Sequence, residues 1–358
     1  MKKYEIVADW IKSRIASGEL ADGDKLPSEA ELMRQFDVSR NVVRQSANEM
    51  IKEGLIQSKQ GVGYFVQKIK SNESTDIGFI CFRSSSYIFP EILHGANKVI
   101  QKNGYHMMFH ESWYDINVER DLLVNMLQKG VRGMILTPVQ GPDDYNNADI
   151  VQRFEKAGIP VVLMDSFFPG QEFCSVSLSD EKSGYAAAKY LYDNGHRRIG
   201  MIYSKNYYPK VVRAEGVKAL LKDMNCPADE SLFVGIEGQG PIRKTFRQIN
   251  EAIESMNPLP TAIVCSSDDE AIILISQLKR LGYKVPDDVS IISFDNSDIS
   301  RHSSPSLTTM NHPSEYMGEM AATMLINRIN NPQIKINTHT YIDSQIIKRD
   351  SVKRIELG

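Results

Sequence analysis

The sequence predicts an α/β protein: a small winged helix-turn-helix head, then a larger body of parallel sheets in two lobes. Three observations carry this. The first 70 residues read as helices followed by a glycine-containing hairpin. From Asp76 onward, short apolar runs alternate with amphipathic helices, the pattern of parallel sheets covered on both faces. Nine or ten such runs in the remaining chain are too many for one comfortable core, so two similar lobes are expected, with a (β/α)₈ barrel as the competing architecture.

In the head, Ile6, Val7, Trp10, Ile11 and Ile15 recur at helical spacing over residues 4–17, and Gly18 ends the run. Ser28-Glu29-Ala30-Glu31 is a capping box in front of Leu32, Met33 and Phe36. Ser39 is placed to cap a longer helix running to about Glu53, closed by Gly54. Leu55–Ser58 and Tyr64–Val66 flank a turn at Lys59–Gly63. Residues 68–75, KIKSNEST, contain a single apolar residue and suit a linker. The clearest strands expected in the body are IGFICF, YHMMFH, GMILTP, IPVVLM, RIGMIY, FVGI, TAIVC and VSIISF. Helices are expected between them, ending near Lys102, Lys129 and Ala157, and then over 179–194, 209–224, 241–256 and 268–282.

The chain has 358 residues, 42 Lys+Arg against 45 Asp+Glu and 42% hydrophobic content, which excludes disorder as its main state. No stretch reaches the ~20 apolar residues of a membrane helix. Asp9, Lys12 and Arg14 interrupt any apolar segment at the N-terminus, so a secretory signal is not expected. The four cysteines, Cys81, Cys174, Cys226 and Cys265, form no CxxC pair, and the expected compartment is the reducing cytoplasm. Residues 1–70 carry 12 Lys/Arg against 10 Asp/Glu, a mildly basic head on an acidic body.

The helix after Ser39 has an apolar stripe of Val42, Val43, Ala47, Met50 and Ile51. Arg40, Asn41, Arg44 and Asn48 lie largely off it. Such a helix can bury one face and offer Arg to guanine and Asn to adenine in a major groove. The stretch LPSEAELMRQFDVSRNVVRQSANEMIKEGLI followed by SKQGVGYFV resembles the DNA-binding domain of the GntR family over residues 26–66, with Tyr64 standing where Thr is usual. The resemblance implies that Arg40 and Arg44 read bases. It also implies that Gln60 and Gly61 approach the minor groove, and that Lys3, Ser28, Glu29 and Ser39 set the phosphate register. Gly61-x-Gly63 precedes a strand and opens no helix, so it is no dinucleotide motif.

The body contains no GxSxG, HExxH, P-loop or metal-spaced His/Cys cluster, so neither an enzyme nor a cofactor or metal site is expected. It offers instead the groups that grip a sugar. Carboxylates and Arg serve hydroxyls, and aromatics cover a ring face. These are expected at strand C-termini, where a two-lobed α/β protein forms its cleft. Asp165 follows VVLM, Asp295 follows IISF, and Ser267 and Asp268 follow TAIVC. Tyr87 and Phe89 come soon after the first strand, and Phe167 lies two residues beyond Asp165. Helix capping alone also accounts for Asp268.

VSLSDEKSGYAAAKYLYDNGHRRIGMI, Arg213-x-x-Gly216, TAIVCSSDDEA, GYKVPDDVSIISFDNSD, SPSLTTMNHP and SQIIKRDSV together resemble the sugar-binding core of the LacI/GalR repressors, a periplasmic-binding-protein-like fold, over about 76–352. The resemblance places Arg213 at the start of its helix, clamping adjacent hydroxyls. It implies a head over 1–68, a linker over 69–75 and an effector domain over 76–358. Lobe one would hold about 76–173 and 309–336, and lobe two about 174–308 and 337–352. A GntR head on such a core resembles the AraR-type arabinose repressors. The expected function is a sugar-responsive repressor of palindromic operator DNA that works as a homodimer, with L-arabinose the leading effector. The same architecture answering another sugar or a purine, or a non-regulatory sugar-binding protein, is the alternative. Ile92, Leu93, Ala96, Val99 and Ile100 form either a candidate dimer contact or a face that is wholly core.

Overall fold

The computed structural model describes residues 2–17, 19–21, 23–67, 74–84, 88–139, 146–226, 228–237, 242–333 and 339–356. The expected linker lies almost wholly outside these residues, as does Tyr87. The head has helices α1 (Lys3–Ser17), α2 (Glu29–Phe36) and α3 (Arg40–Lys52), then strands β1 (Ile56–Lys59) and β2 (Gly63–Val66). The capping box forms: Ser28 Oγ accepts from the Glu31 N–H at 3.3 Å, and Glu31 accepts from the Ser28 N–H at 2.7 Å. Ser39 takes the extended N-cap backbone of α3 but makes no side-chain capping bond. Val7, Ile11, Leu32, Val43, Met50, Ile56 and Val66 close a separate small core.

Among the described residues the body forms two six-stranded sheets rather than a barrel. Lobe one contains β3 (Asp76–Cys81), β4 (His106–Glu111), β5 (Gly133–Leu136), β6 (Val161–Met164), β7 (Ser175–Leu178) and β13 (His339–Ile342). All pair in parallel in the order β13-β7-β6-β5-β3-β4. Lobe two contains β8 (Ile199–Ser204), β9 (Phe233–Ile236), β10 (Ala262–Cys265), β11 (Ser290–Asp295), β12 (Thr308–Asn311) and β14 (Ile346–Ile347). Its order is β14-β12-β11-β10-β8-β9, with only β14 antiparallel. Both sheets thus share one winding, in which the second strand lies on one side of the first and the later strands on the other. That arrangement leaves a crevice at the strand C-termini.

The chain crosses between lobes three times, each time later than the expected boundaries. β7 and β13 pair with lobe-one strands, although residues 174–178 and 339–342 had been expected in lobe two. β12 pairs with β11, although 309–311 had been expected in lobe one. Backbone hydrogen bonding decides membership here, and a short apolar strand reads the same in either lobe.

Lobe one carries α4 (Phe89–Lys102), α5 (Ile116–Lys129), α6 (Ala148–Lys156) and α12 (Ser314–Asn330). Lobe two carries α7 (Asp180–Asp193), α8 (Tyr208–Asp223), α9 (Ile242–Ser255), α10 (Asp268–Arg280) and the short α11 (Asp298–His302). The α4 stripe does not form an open contact surface. Ile92, Ala96 and Ile100 are fully buried in the lobe-one core, which α12 helps to build. The exposed face of α4 presents Glu91, His94 and Lys98, and Lys98 pairs with Glu319 of α12 at 2.6 Å.

Two helix pairs approach with main chain against main chain. A Cβ on Gly95 of α4 would sit 2.1 Å from the Glu315 carbonyl oxygen. One on Gly318 of α12 would sit 2.1 Å from that of Ile92. In lobe two the same reciprocity joins Gly184 of α7 to the Arg213 carbonyl and Gly216 of α8 to the Glu181 carbonyl, each at 2.0 Å. In each lobe one partner follows the first strand and the other follows a crossover, so the pairs are structural counterparts. Gly216→Ala is expected to push α8 off α7 and to cost about 1–3 kcal/mol, the usual scale of overpacking. A urea-unfolding midpoint that stays at the wild-type value would contradict this close approach.

Candidate effector-binding and DNA-binding sites

The C-terminal ends of both sheets face an interlobe cavity of about 310 Å³. Asp165 comes immediately after β6 and Asp295 ends β11. Both hold left-handed backbone, with φ of 62° and 106°, which turns their side chains out of the strand direction. Asp165 Oδ2 accepts from the Tyr207 hydroxyl at 2.6 Å, and Oδ1 lies 3.2 Å from His312 Nε2. Tyr207 leads into α8, so this bond joins the lobes. Burial alone would raise the Asp165 pKa, but His312 and Tyr207 outweigh it and hold the carboxyl below its ordinary value. Burial, reinforced by Asp165, pushes the Tyr207 phenol well up, so it remains a donor.

Arg213 is 3% exposed. Its Nε donates to Asp180 at 2.7 Å and its Nη1 to the Ser266 carbonyl at 2.9 Å. Nη1 also lies 3.7 Å from Asp295 Oδ1, and the guanidinium stands over the Phe294 ring at 4.5 Å. Arg213 is not at the start of its helix, as expected, but a full turn inside α8, because Pro209 sets the first turn earlier. Lys210, one turn before it, pairs with buried Glu270 at 3.0 Å. Glu270 also accepts from Ser204 at 2.7 Å and Ser266 at 2.6 Å. Lys210, Glu270 and Tyr207 were missed in the sequence. The Tyr207–Lys210–Arg213 spacing along one helical face was the available signal.

The cavity gathers Asp165, Arg213, Ser267 and Asp295 of the expected residues. Ser267 is also the N-cap of α10. Asp268 does not line it. Its carboxylate is buried and accepts from Ser293, from the N–H and hydroxyl of Ser297 at 2.7 Å each, and from Thr309 at 2.9 Å. It ties α10 to β11, β12 and the start of α11, while Asp269, the next residue around the helix, faces the cavity.

The aromatic wall is not the expected one. Phe89 is fully buried, edge-on to Phe82 at 4.9 Å, because as the first residue of α4 it points into the lobe-one core. Phe167 packs against Tyr208 and His339 and does not reach the cavity. Phe82 and Tyr114 line it instead, stacked with ring centres 4.4 Å apart. Tyr114 follows Trp113, both in left-handed backbone, a bend that no residue pattern announced. Arg83, at the same wall, has a buried Nε with no hydrogen-bond partner. A buried donor without a partner among the described residues is uncommon, and it marks this wall as a candidate contact.

On the head, Arg40, Asn41, Arg44 and Asn48 share the exposed face of α3. Glu29 pairs with Arg44 at 2.9 Å and Arg40 at 3.4 Å, and the Tyr64 hydroxyl lies 3.4 Å from it. An anion repels phosphate, so Glu29 is better suited to ordering these two guanidiniums than to the phosphate register expected of it. Ser28 and Ser39 stand at the N-termini of α2 and α3. Lys3 opens α1, and Gln60 and Gly61 are exposed at the hairpin tip.

Residues 3–66 match the family described as bacterial regulatory proteins, gntR family, and residues 188–352 match the periplasmic binding protein-like domain. An arabinose metabolism transcriptional repressor of Geobacillus stearothermophilus is 30% identical over 99% of both chains. The structure of the transcriptional regulator CelR in complex with cellobiose aligns with a TM-score of 0.69 at 21% identity, covering 88% of this chain and 91% of that one. A LacI family regulator from Enterococcus faecium with bound ribose gives 0.67 at 23% identity, covering 78% and 100%.

The position of Asp268 has a measurable consequence. Asp268→Asn weakens several charge-assisted hydrogen bonds at once and is expected to lower stability by about 1.5–3 kcal/mol. Binding of small ligands in the cavity should stay near wild type. A selective loss of ligand affinity at unchanged melting temperature would return Asp268 to the cavity.

Proposed function

The chain belongs to the family of the arabinose metabolism transcriptional repressors, and from that membership we propose that L-arabinose is the signal that releases it from operator DNA. It is a sugar-responsive transcriptional repressor and not an enzyme. The observation that carries the ligand class is the cavity between the lobes, with paired donors and acceptors from both sides and one stacked aromatic wall. Its volume lies at the small end of the ~300–1,000 Å³ typical of ligand pockets, which favours one monosaccharide. Arg213 and Asp295 grip neighbouring hydroxyls from lobe two, one donating and one accepting. Asp165 and Arg83 serve hydroxyls from lobe one, and Phe82 with Tyr114 covers the apolar ring face.

Because the groups come from two lobes, the full set is in reach only when the cleft is closed. The sugar then binds the closed state more tightly and shifts the population toward it. Moving occupancy from 99:1 to 1:99 takes about 5.5 kcal/mol of differential binding. The proposed DNA contacts are Arg40, Asn41 and Arg44 to bases, Gln60 and Gly61 to the minor groove, and Lys3, Ser28 and Ser39 to phosphates. A single small head covers too little DNA for operator-grade affinity, so the working unit is proposed to be a homodimer on a palindromic site. Its compartment is proposed to be the cytoplasm. Among the described residues no helix is long and apolar enough to cross a membrane.

Titrating operator fragments with L-arabinose, other pentoses, hexoses and nucleobases tests the ligand directly, and release by something other than L-arabinose rejects it. Asp295→Asn keeps a residue that tolerates left-handed backbone while removing the charge. It is expected to weaken sugar binding by about 1.5–3 kcal/mol, read by calorimetry, with operator affinity unchanged. Arg44→Ala is expected to weaken operator binding roughly 5- to 150-fold and to relax specificity at one position per half-site in footprinting. Equal affinity for operator and mutated operator in the unsubstituted chain would reject the reading face.

A further inference from the structure

The head rests on lobe one through the end of its recognition helix. Arg153 of α6 donates from Nη1 to the Glu53 carbonyl at 3.1 Å and from Nη2 to the Gly54 carbonyl at 2.9 Å. Both carbonyls lie just past the C-terminus of α3, the helix that carries Arg40 and Arg44. A helix C-terminus concentrates partial negative charge and unpaired carbonyls, and a planar guanidinium with several fixed donors matches both. Gly54 is buried with φ of 63°. A Cβ there would lie 2.3 Å from Val124 Cγ1 and 2.6 Å from Gln128 Nε2 of α5, so the main chain of the head itself touches lobe one. Lys12 pairs with Glu53 at 2.7 Å and brings α1 to the same corner. The face with Arg40, Asn41, Arg44 and Asn48 stays exposed in this arrangement.

We propose that the α5–α6 face of lobe one is a docking surface for this chain's own head, with Arg153 as its latch, so that head and lobe one move as one body. α6 leads directly into β6, and the residue after β6 is Asp165. Arg153 and the cavity carboxylate therefore stand at opposite ends of one helix–strand unit. A cleft closure that turns lobe one re-aims α3 by the same rotation. A head tethered only by a polar linker would average over orientations and lose that information. The docking stands on the contacts alone. Its role in release rests on the proposed function.

The experiment uses the full chain with spin labels at Lys52→Cys and Lys129→Cys, in a Cys226→Ser background, diluted with excess unlabelled chain. Without DNA or sugar, one narrow distance distribution is expected. Arg153→Ala and Arg153→Glu are each expected to broaden it at least twofold without moving the melting temperature of the body. A broad distribution before substitution, or one unchanged in both variants, overturns the docking. In the second arm, Arg153→Ala is expected to bind L-arabinose with wild-type affinity by calorimetry, while the sugar-induced change in operator affinity shrinks at least fivefold. A wild-type induction ratio despite a broadened distribution overturns the regulatory role and leaves the docking. Failure of the unsubstituted chain to answer L-arabinose counts against the proposed function, and the first arm still decides the docking.

Discussion

A charge taken out of water needs a partner, and the space between the lobes is organised around that constraint. Arg213 is held by Asp180 and faces Asp295, Lys210 is held by Glu270, and Asp165 is held by Tyr207 and His312. Each partner comes from a different element. Asp180 opens α7, Asp295 ends β11, Glu270 belongs to the first turn of α10, and His312 sits at a crossover. Satisfying three charged centres therefore ties together the starts of α7 and α10 and the ends of β11 and β12. The Asp165–Tyr207 bond carries the same logic across the lobe boundary.

This pairing also bears on specificity. A ligand that enters must replace or extend bonds that already exist, and hydroxyls can do so because each both donates and accepts. Arg83 differs, because its buried Nε has no partner among the described residues. In the proposed site it is the lobe-one donor with a bond still to make.

The fold was largely legible because its signals are local. The capping box, the glycine-bounded hairpin and the alternation of apolar runs with amphipathic helices each depend on near neighbours. α12 was not anticipated, although it is as long as any helix in the body. Its apolar residues recur around both Gly318 and the Ala321–Ala322 pair, with no strand run beside them to mark a unit. At the cleft, the residues at strand ends were legible, because a parallel sheet always presents its C-termini there. The aromatic wall was not. Phe89 and Tyr114 are both aromatics soon after a strand. Only the first-turn direction of α4 and the left-handed bend at Trp113–Tyr114 separate core from cavity. Asp268 and Asp269 differ by one step around a helix, which chain position alone does not resolve.

The reciprocal glycine contacts limit how the two lobes can move. With carbonyl oxygens about 2 Å from where a side chain would begin, α4 against α12 and α7 against α8 leave no room for any residue but glycine at the contact. Shear, the small translation of packed helices that many domains use, would break two reciprocal main-chain contacts in each lobe at once. Contacts of this kind favour each lobe turning as a unit, which leaves relative motion to the three crossovers. The cleft closure proposed for this chain would then be a hinge rotation about a short axis, and its amplitude at any point would grow with distance from those crossovers.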